Sequence, residues 1–173
     1  MLKNKICFAS IDVEKDLNQD SFRGVENIDR ILSIFKKYEI PATLFVTGEA
    51  LEKYRELVAQ WGSNYEIACH SYTHSFWNTL NNEERSRELN DFIGLYQNVF
   101  QKAPAGFRAP SHVIDQEGIK LLEEKGFLYD SRNQPEKPKW KVPTRGEPEL
   151  FPMPPAADGQ VFYKDACSES AKA

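Results

Sequence analysis

The chain has 173 residues, of which 40% are hydrophobic and 28% charged, and its 26 acidic and 22 basic residues give a formal net charge of -4. This length and balance predict one globular domain, residues 1–173, with a core of ordinary size. The acidic excess argues against a nucleic-acid-binding protein, which usually carries a basic stripe, so no nucleic-acid partner is expected.

The N-terminal segment carries no recognisable export signal. Met1–Lys5 leads into a short apolar run without a cleavage site, and no segment approaches the length of a membrane span. We therefore expect a cytoplasmic protein with no membrane span. Cys7, Cys69 and Cys167 are odd in number and widely spaced, which excludes a disulfide framework and a zinc ribbon. Cys7 and Cys69 lie in predicted strands and are expected to be small buried side chains.

Short apolar runs alternate with segments of helical periodicity along the chain. Strands are predicted at 6–11, 42–46, 66–69, 106–109 and 127–129. Helices are predicted over 25–38, over 51–61, from Asn81 to just before Pro104, and from Asp115 to Gly126. Asn81 with Glu84 forms a capping box, and Asp115 is a typical N-cap residue. This alternation predicts an α/β fold built on parallel strands.

Polar side chains of the kind used in active sites follow four of the five predicted strands. In parallel α/β folds, ligands bind at the carboxyl ends of the strands. Ordinary loop polarity would not place these residues so regularly. The residues, in strand order, are Asp12 and Glu14, then His70 and His74, then Arg108, then Asp130.

His70 and His74 are two of only three histidines in the chain, and they lie four residues apart. Neutral imidazole is the commonest transition-metal ligand, and two such rings can hold one ion if a third ligand arrives from elsewhere. A bare pair at this spacing is more often a pair of surface histidines. The carboxylates after the first strand are what make a metal site the favoured interpretation.

The sequence changes character after Asp130. Residues 134–155 are rich in proline, which favours an extended segment, and residues 156–173 form a small polar tail. The recognisable core is therefore predicted to span residues 5–131.

Four motifs in order resemble the polysaccharide deacetylase family, also called NodB-homology or carbohydrate esterase family four. They are Ser10-Ile11-Asp12-Val13-Glu14, His70-Ser71-Tyr72-Thr73-His74, Arg108-Ala109-Pro110, and a segment that begins at Tyr129-Asp130-Ser131. Residues 40–48 also resemble the family's stretch between the first two motifs. The resemblance implies a distorted, incomplete (β/α) barrel of parallel strands and the hydrolysis of acetyl groups from N-acetylated sugars.

The resemblance also implies a role for each motif. Glu14, His70 and His74 would hold a divalent metal ion, with zinc the first choice and cobalt, manganese or iron also suited to these donors. Asp12 would be the general base that takes a proton from the attacking water, and Arg108 would pair with it.

Four further residues receive secondary assignments. Asp130 would support the Asp12–Arg108 pair, and Tyr72 and Pro110 would contact the carbohydrate substrate. Asp16 is the second choice for the metal carboxylate, because Glu14 could be part of an ordinary solvated loop.

The sequence departs from the family pattern at its C-terminal part. Family members continue to a strand ending in Leu-x-His, whose histidine protonates the leaving amine, whereas no histidine follows His112 here. The chain could be a fragment, a shortened relative using another acid, or a non-catalytic metal- or sugar-binding descendant. Hydrolysis of another amide, such as a ureide, is a further alternative. An incomplete barrel also predicts either that the proline-rich tail covers the gap or that a homodimer does.

Overall fold

The computed structural model describes residues 9–131, and within them five parallel strands form one sheet. The strands are Ala9–Val13 (β1), Ala42–Val46 (β2), Glu66–Cys69 (β3), Gly106–Phe107 (β4) and Tyr129–Asp130 (β5). Their order across the sheet is the order of the chain, β1-β2-β3-β4-β5, so each connection leads to the neighbouring strand. The predicted α/β class with parallel strands is confirmed.

Helices connect successive strands, and two of the predicted helices are each divided in two. The helices are Arg23–Glu26 (α1), Ile28–Lys37 (α2), Gly48–Lys53 (α3), Arg55–Trp61 (α4), Asn82–Phe100 (α5) and Gln116–Glu124 (α6). The break between α3 and α4 is at Tyr54, whose φ of -116° and ψ of 36° depart from helical values. Its ring packs edge-on against Phe22 at 5.6 Å and its hydroxyl donates to Glu26 at 2.8 Å. This tertiary contact was not visible in the helical periodicity.

The predicted capping residues of two helices are confirmed. Asn81 and Glu84 form a complete capping box at the start of α5, each side chain accepting a hydrogen bond from the other's backbone N–H. The carboxylate of Asp115 accepts from the N–H of Gly118 at 2.8 Å and so caps α6. Gly126 follows α6 with a φ of +82°, a left-handed conformation that glycine adopts without strain.

Three predicted strand boundaries were wrong. β1 continues to Val13, so Asp12 lies within the strand, paired with Phe45, rather than after it. β4 ends at Phe107, directly before Arg108. β5 begins at Tyr129, because the N–H of Phe127 donates to the Leu122 carbonyl and completes the turn after α6. Apolar runs mark a strand poorly where its side chains line a polar site.

The two faces of the sheet differ in chemistry. One face packs beneath the helices and carries fully buried side chains such as Leu44, Val46 and Cys69. Because side chains alternate along a strand, His70 lies on the opposite face from Cys69. The predicted burial of Cys69 is confirmed, and the other two cysteines lie outside residues 9–131. The polar face carries Asp12, and it is where the predicted site residues meet.

Within residues 9–131, no helix combines the length and the apolar character that crossing a bilayer requires. The proline-rich segment 134–155 and the tail 156–173 lie outside the described residues. The single-domain boundary, the cytoplasmic location and the fate of the tail remain predictions.

Candidate active site

Glu14, His70 and His74 converge at the carboxyl end of the sheet. One potential ligand atom from each lies within 4.8 Å of the other two. Oε2 of Glu14 is 2.6 Å from Nε2 of His74 and 3.2 Å from Nε2 of His70. The carboxylate follows β1 and both imidazoles follow β3, so the fold brings together two segments that are more than fifty residues apart in sequence.

The hydrogen bonding of His70 assigns its tautomer. Its Nδ1 lies 2.7 Å from the backbone carbonyl oxygen of Arg108. A carbonyl can only accept, so Nδ1 carries the proton of this hydrogen bond and Nε2 is the ring nitrogen that faces Glu14. A backbone carbonyl on the far nitrogen is the usual arrangement for a metal-binding histidine. The ring is only 2% exposed, which fixes its orientation.

The donor set fits a divalent cation. The buried Oε2 of Glu14 lies close to both imidazoles, but within residues 9–131 it makes no hydrogen bond of proper geometry. A buried carboxylate oxygen normally has a donor or a cation to satisfy it. Two imidazole nitrogens and one carboxylate, with further positions open, form the three-ligand set of a catalytic metal site.

Electrostatics keeps the carboxylate of this group ionised. Burial, the largest single influence, raises the pKa of Glu14, but the contacts with His70 and His74 outweigh it and lower the pKa to about 2. The contact with Glu14 is also the main reason that the pKa of His74 is raised. An anionic carboxylate thus lies against two imidazoles, the arrangement that a cation would complete.

Arg108 donates hydrogen bonds to residues at both edges of the described sheet, in β1 and directly after β5. Its Nη1 donates to Oδ1 of Asp12 at 2.6 Å. Its Nη2 donates to Oγ of Ser10 at 2.9 Å and to Oγ of Ser131 at 2.8 Å. The guanidinium also lies over the ring of Phe45, 3.9 Å from its centroid. This buried, planar fork fixes the rotamer of the Asp12 carboxylate.

Asp12 lies between the guanidinium and the group formed by Glu14, His70 and His74. With Oδ1 on Arg108, its Oδ2 is 3.9 Å from Nε2 of His70. The carboxylate is about one-third exposed, which leaves it accessible to water and to a substrate. The structure therefore brings together Asp12, Arg108 and the three predicted ligands.

Asp16 does not join the group. Its carboxylate accepts hydrogen bonds from the hydroxyl of Ser21 and from the backbone N–H groups of Arg23 and Gly24, the latter two at 3.0 Å. These bonds fix the turn that leads into α1. The second-choice assignment of the metal carboxylate to Asp16 is not supported.

Asp130, Tyr72 and Pro110 lie near the site in different settings. Asp130 ends β5 and is only 2% exposed. The Tyr72 ring packs on Gly48, and its hydroxyl donates to Glu52 at 3.0 Å, so most of this side chain serves to attach the histidine loop to α3. Pro110 is buried at the start of a short 3-10 helix. The roles assigned to these three residues remain predictions.

Sequence reasoning missed three residues that support the site. Ser10 could have been found, because it lies two positions before Asp12 on the same strand face. Ser131 follows Asp130 directly and bonds Arg108 through its side chain. Glu88, in the middle of α5, accepts hydrogen bonds from the loop between the two histidines, and no sequence motif pointed to it.

Comparison with known proteins identifies the family of the chain. The polysaccharide deacetylase family model matches residues 16–129. The chain belongs to the polysaccharide deacetylase family. The match includes both histidines and Arg108 but begins after Asp12 and Glu14, so the inclusion of those two carboxylates rests on their position beside the histidines.

Curated relatives of the chain are named as peptidoglycan deacetylases. The peptidoglycan deacetylase-like protein FGM2 of Gibberella zeae is 36% identical over 119 residues, covering 67% of this chain and 35% of the relative. The peptidoglycan deacetylase of Helicobacter pylori is 30% identical over 124 residues, covering 71% of this chain and 42% of the relative. The chain thus spans well under half the length of either protein.

Solved structures show the same fold. The peptidoglycan deacetylase PdaC of Bacillus subtilis superposes with a TM-score of 0.57 at 23% identity, covering 73% of this chain and 57% of that one. A CE4 family pseudoenzyme from Bacillus anthracis superposes with a TM-score of 0.63 at 24% identity, covering 73% and 42%. Both active and inactive proteins therefore share this fold.

Proposed function

We propose that this polysaccharide deacetylase family member is a metal-dependent hydrolase that removes acetyl groups from N-acetylated sugars. The proposal rests on one observation: the Glu14, His70 and His74 donors lie beside a carboxylate, Asp12, that a buried guanidinium holds in place. The peptidoglycan deacetylases among the relatives support a substrate of this class.

The three donors would hold a divalent ion, for which we propose zinc, although cobalt, manganese and iron suit the same ligands. The ion would supply Lewis-acid polarisation of the acetamide carbonyl. The pKa of Glu14, about 2, keeps this ligand anionic at neutral pH.

Asp12 would act as the general base. Its Oδ2 takes a proton from a water molecule as the water oxygen bonds to the acetyl carbon. The bond between that carbon and the sugar nitrogen then breaks, giving acetate and an amine. Arg108 contributes by holding Oδ1, which leaves Oδ2 on the side of His70.

The leaving nitrogen needs a proton, and the family's Leu-x-His acid is not present after His112. Asp12 can return the proton that it took, because base and acid roles in one cycle can fall to the same carboxyl group. His112 is the other candidate: its Nδ1 lies 3.3 Å from the carbonyl oxygen of Ser131, and Ser131 bonds Arg108.

A second candidate function is a metal- or sugar-binding module without turnover. The CE4 family pseudoenzyme from Bacillus anthracis, which has this fold, is what favours this alternative. Saccharide binding without acetate release would favour this second function.

Acetate release from N-acetylglucosamine oligomers and from peptidoglycan tests the proposal. Protein loaded in turn with zinc, cobalt and manganese should release acetate, and Asp12→Asn should lower the rate by about 10²–10⁴-fold. Asp20→Asn is the matched control, because Asp20 is an exposed aspartate in the loop that follows β1. Acetate release that is equal in wild type and Asp12→Asn, or absent with every ion, would reject the hydrolase.

A homodimer, the alternative to coverage of the barrel gap by the proline-rich tail, is a separate proposal. Light scattering of the purified chain at low micromolar concentration should give twice the mass of 19.9 kDa. A monomer mass across the whole concentration range would contradict it.

A further inference from the structure

The loop between the two histidines is conformationally unusual. Ser71 and His74 both adopt left-handed backbone conformations, with φ of 66° and 64°. Residues other than glycine rarely adopt this conformation, and they keep it where surrounding contacts enforce it. The contacts that hold residues 71–73 therefore decide where the His74 imidazole lies.

One carboxylate accepts four hydrogen bonds from this loop. Oε2 of Glu88 accepts from the Ser71 hydroxyl at 2.7 Å and from the backbone N–H groups of Tyr72 and Thr73, both at 2.8 Å. Oε1 accepts from the Thr73 hydroxyl at 2.7 Å. Successive N–H groups that converge on one anion form a strong, directional site for a carboxylate.

Glu88 is itself rigidly placed. It lies on α5, where the neighbouring Leu89 is fully buried. Three residues before it, Arg85 donates from Nε to the backbone carbonyl of Trp77 at 2.9 Å. The indole N–H of Trp77 in turn donates to the Ser71 hydroxyl at 3.0 Å. The segment that carries His74 is thus attached to α5 in two ways: directly through Glu88, and indirectly through Trp77 and Arg85.

Charge favours this arrangement. Burial alone would raise the pKa of Glu88, but the hydrogen bonds from Thr73, Ser71 and Tyr72 together outweigh it and lower the pKa. The carboxylate is therefore anionic at neutral pH and remains an acceptor for all four donors.

The two histidines depend on this clamp to different degrees. His70 is held by β3 and by its bond to the Arg108 carbonyl, and only 2% of it is exposed. His74 lies at the far end of the loop, and 31% of its side chain is exposed. Loss of the clamp should therefore displace His74 and leave His70 in place.

We propose that Glu88 is a positioning residue that sets the imidazole of His74 for metal binding through the backbone of residues 71–73. This inference rests on the proposed metal site, and it adds a residue of α5 to the machinery without any contact between Glu88 and the ion.

Zinc titration of Glu88→Gln tests it. Glutamine has nearly the same shape but no negative charge, so the three donors that meet at Oε2 would share one neutral oxygen, and an amide NH₂ would face the Thr73 hydroxyl that now donates to Oε1. The zinc dissociation constant should rise about tenfold or more, the usual effect of removing a group that orients a metal ligand. Glu83→Gln, an exposed change of the same kind on α5, is the control and should bind zinc as the wild type does.

A second measurement needs no metal. In metal-free protein, NMR signals of the His74 ring should shift in Glu88→Gln toward those of a mobile histidine, while the His70 signals stay unchanged. Unchanged His74 signals would overturn the inference, whether or not the protein binds zinc. Failure of the wild-type protein to bind zinc would instead count against the proposed function. A lower melting temperature with an unchanged zinc dissociation constant would also overturn it.

A milder variant covers failure of Glu88→Gln to fold. Thr73→Val removes the hydroxyl contacts of an exposed side chain with Oε1 of Glu88 and with Oγ of Ser75, and it keeps the backbone N–H bond to Oε2 of Glu88. It should shift the His74 ring signals in the same direction by a smaller amount. Signals identical to those of the wild type in Thr73→Val would reject the clamp.

Discussion

The Nδ1–H of His70 donates to the backbone carbonyl of Arg108 at 2.7 Å. This bond connects the two halves of the site, because the same residue that fixes the His70 tautomer through its backbone holds Asp12 through its side chain. Neighbouring parallel strands make it possible, since β3 and β4 place the two residues next to each other at the ends of their strands. The proposed metal ligand His70 and the proposed base Asp12 are thus set relative to each other by backbone geometry.

Metal removal should abolish the added stability that zinc confers. At free zinc about 100-fold above the dissociation constant, a single site raises the free energy of unfolding by about 2.7 kcal/mol. Urea denaturation with zinc and then with a chelator measures the difference. A variant combining His70→Ala and His74→Ala should show no zinc effect, whereas His112→Ala should keep it. Equal stabilisation of all three proteins would exclude this site.

Replacing Arg108 by lysine should reduce kcat much more than it raises KM. Lysine cannot donate to Asp12, Ser10 and Ser131 at the same time, because its single ammonium lacks the planar fork of arginine. We expect a loss of about 10²-fold in kcat, the lower end of what a misplaced general base costs. Steady-state kinetics with an acetylated oligosaccharide measures both constants. A change confined to KM would mean that Arg108 contacts substrate instead.

Gly48→Ala should destabilise the protein. A Cβ atom at Gly48 would lie 2.1 Å from Cδ2 of the Tyr72 ring, so the ring must move. The expected cost is about 1–3 kcal/mol, typical of overpacking. Gly94→Ala is the matched control: nothing lies within 4 Å of its added Cβ, and alanine should stabilise α5 by roughly 0.5–1 kcal/mol. Urea denaturation of both variants measures these changes.

The same clash predicts a coupling between Gly48 and Tyr72. In a Tyr72→Ala background the ring is absent, so Gly48→Ala should cost much less than it does in the wild type. Additive losses of stability in the double variant would show that the ring is not the obstacle.

The Asp115–Arg85 ion pair predicts an acid-sensitive contribution to stability. The hydrogen bonds from buried Arg85, at 2.9 Å, are the main reason that the pKa of Asp115 is lowered. Since the folded pKa lies below the unfolded value of about 4, the contribution is present above pH ~4 and is lost as the pH falls through the folded pKa. Asp115 is half exposed, which limits the effect to about 1 kcal/mol or less.

Asp115→Asn isolates that contribution. Asparagine still caps α6 but carries no charge for Arg85. The stability difference between wild type and Asp115→Asn should therefore shrink as the pH falls from 6 to 3, measured by urea denaturation across that range. A difference that stays constant with pH would assign the effect to the cap rather than to the charge.

Local interactions made much of this structure predictable. The capping box at Asn81, the cap at Asp115 and the left-handed Gly126 each depend on residues a few positions apart, and all three were found from sequence. The parallel α/β class followed from periodicity alone. The divided helices and the strand boundaries were missed, since side chains distant in sequence, such as Tyr54 against Phe22, decide them.

The sequence by itself determined the order of the motifs, because residue type and strand position suffice to place His70, His74 and a carboxylate at one end of a parallel sheet. Only the tertiary structure decided that Glu14 rather than Asp16 faces the histidines, since Asp16 is bound to the turn before α1. Arg108 reaches Ser10 across 98 positions of the chain. Such contacts depend on how strongly the sheet curves and on how the helices pack against it, which no local pattern of residues records.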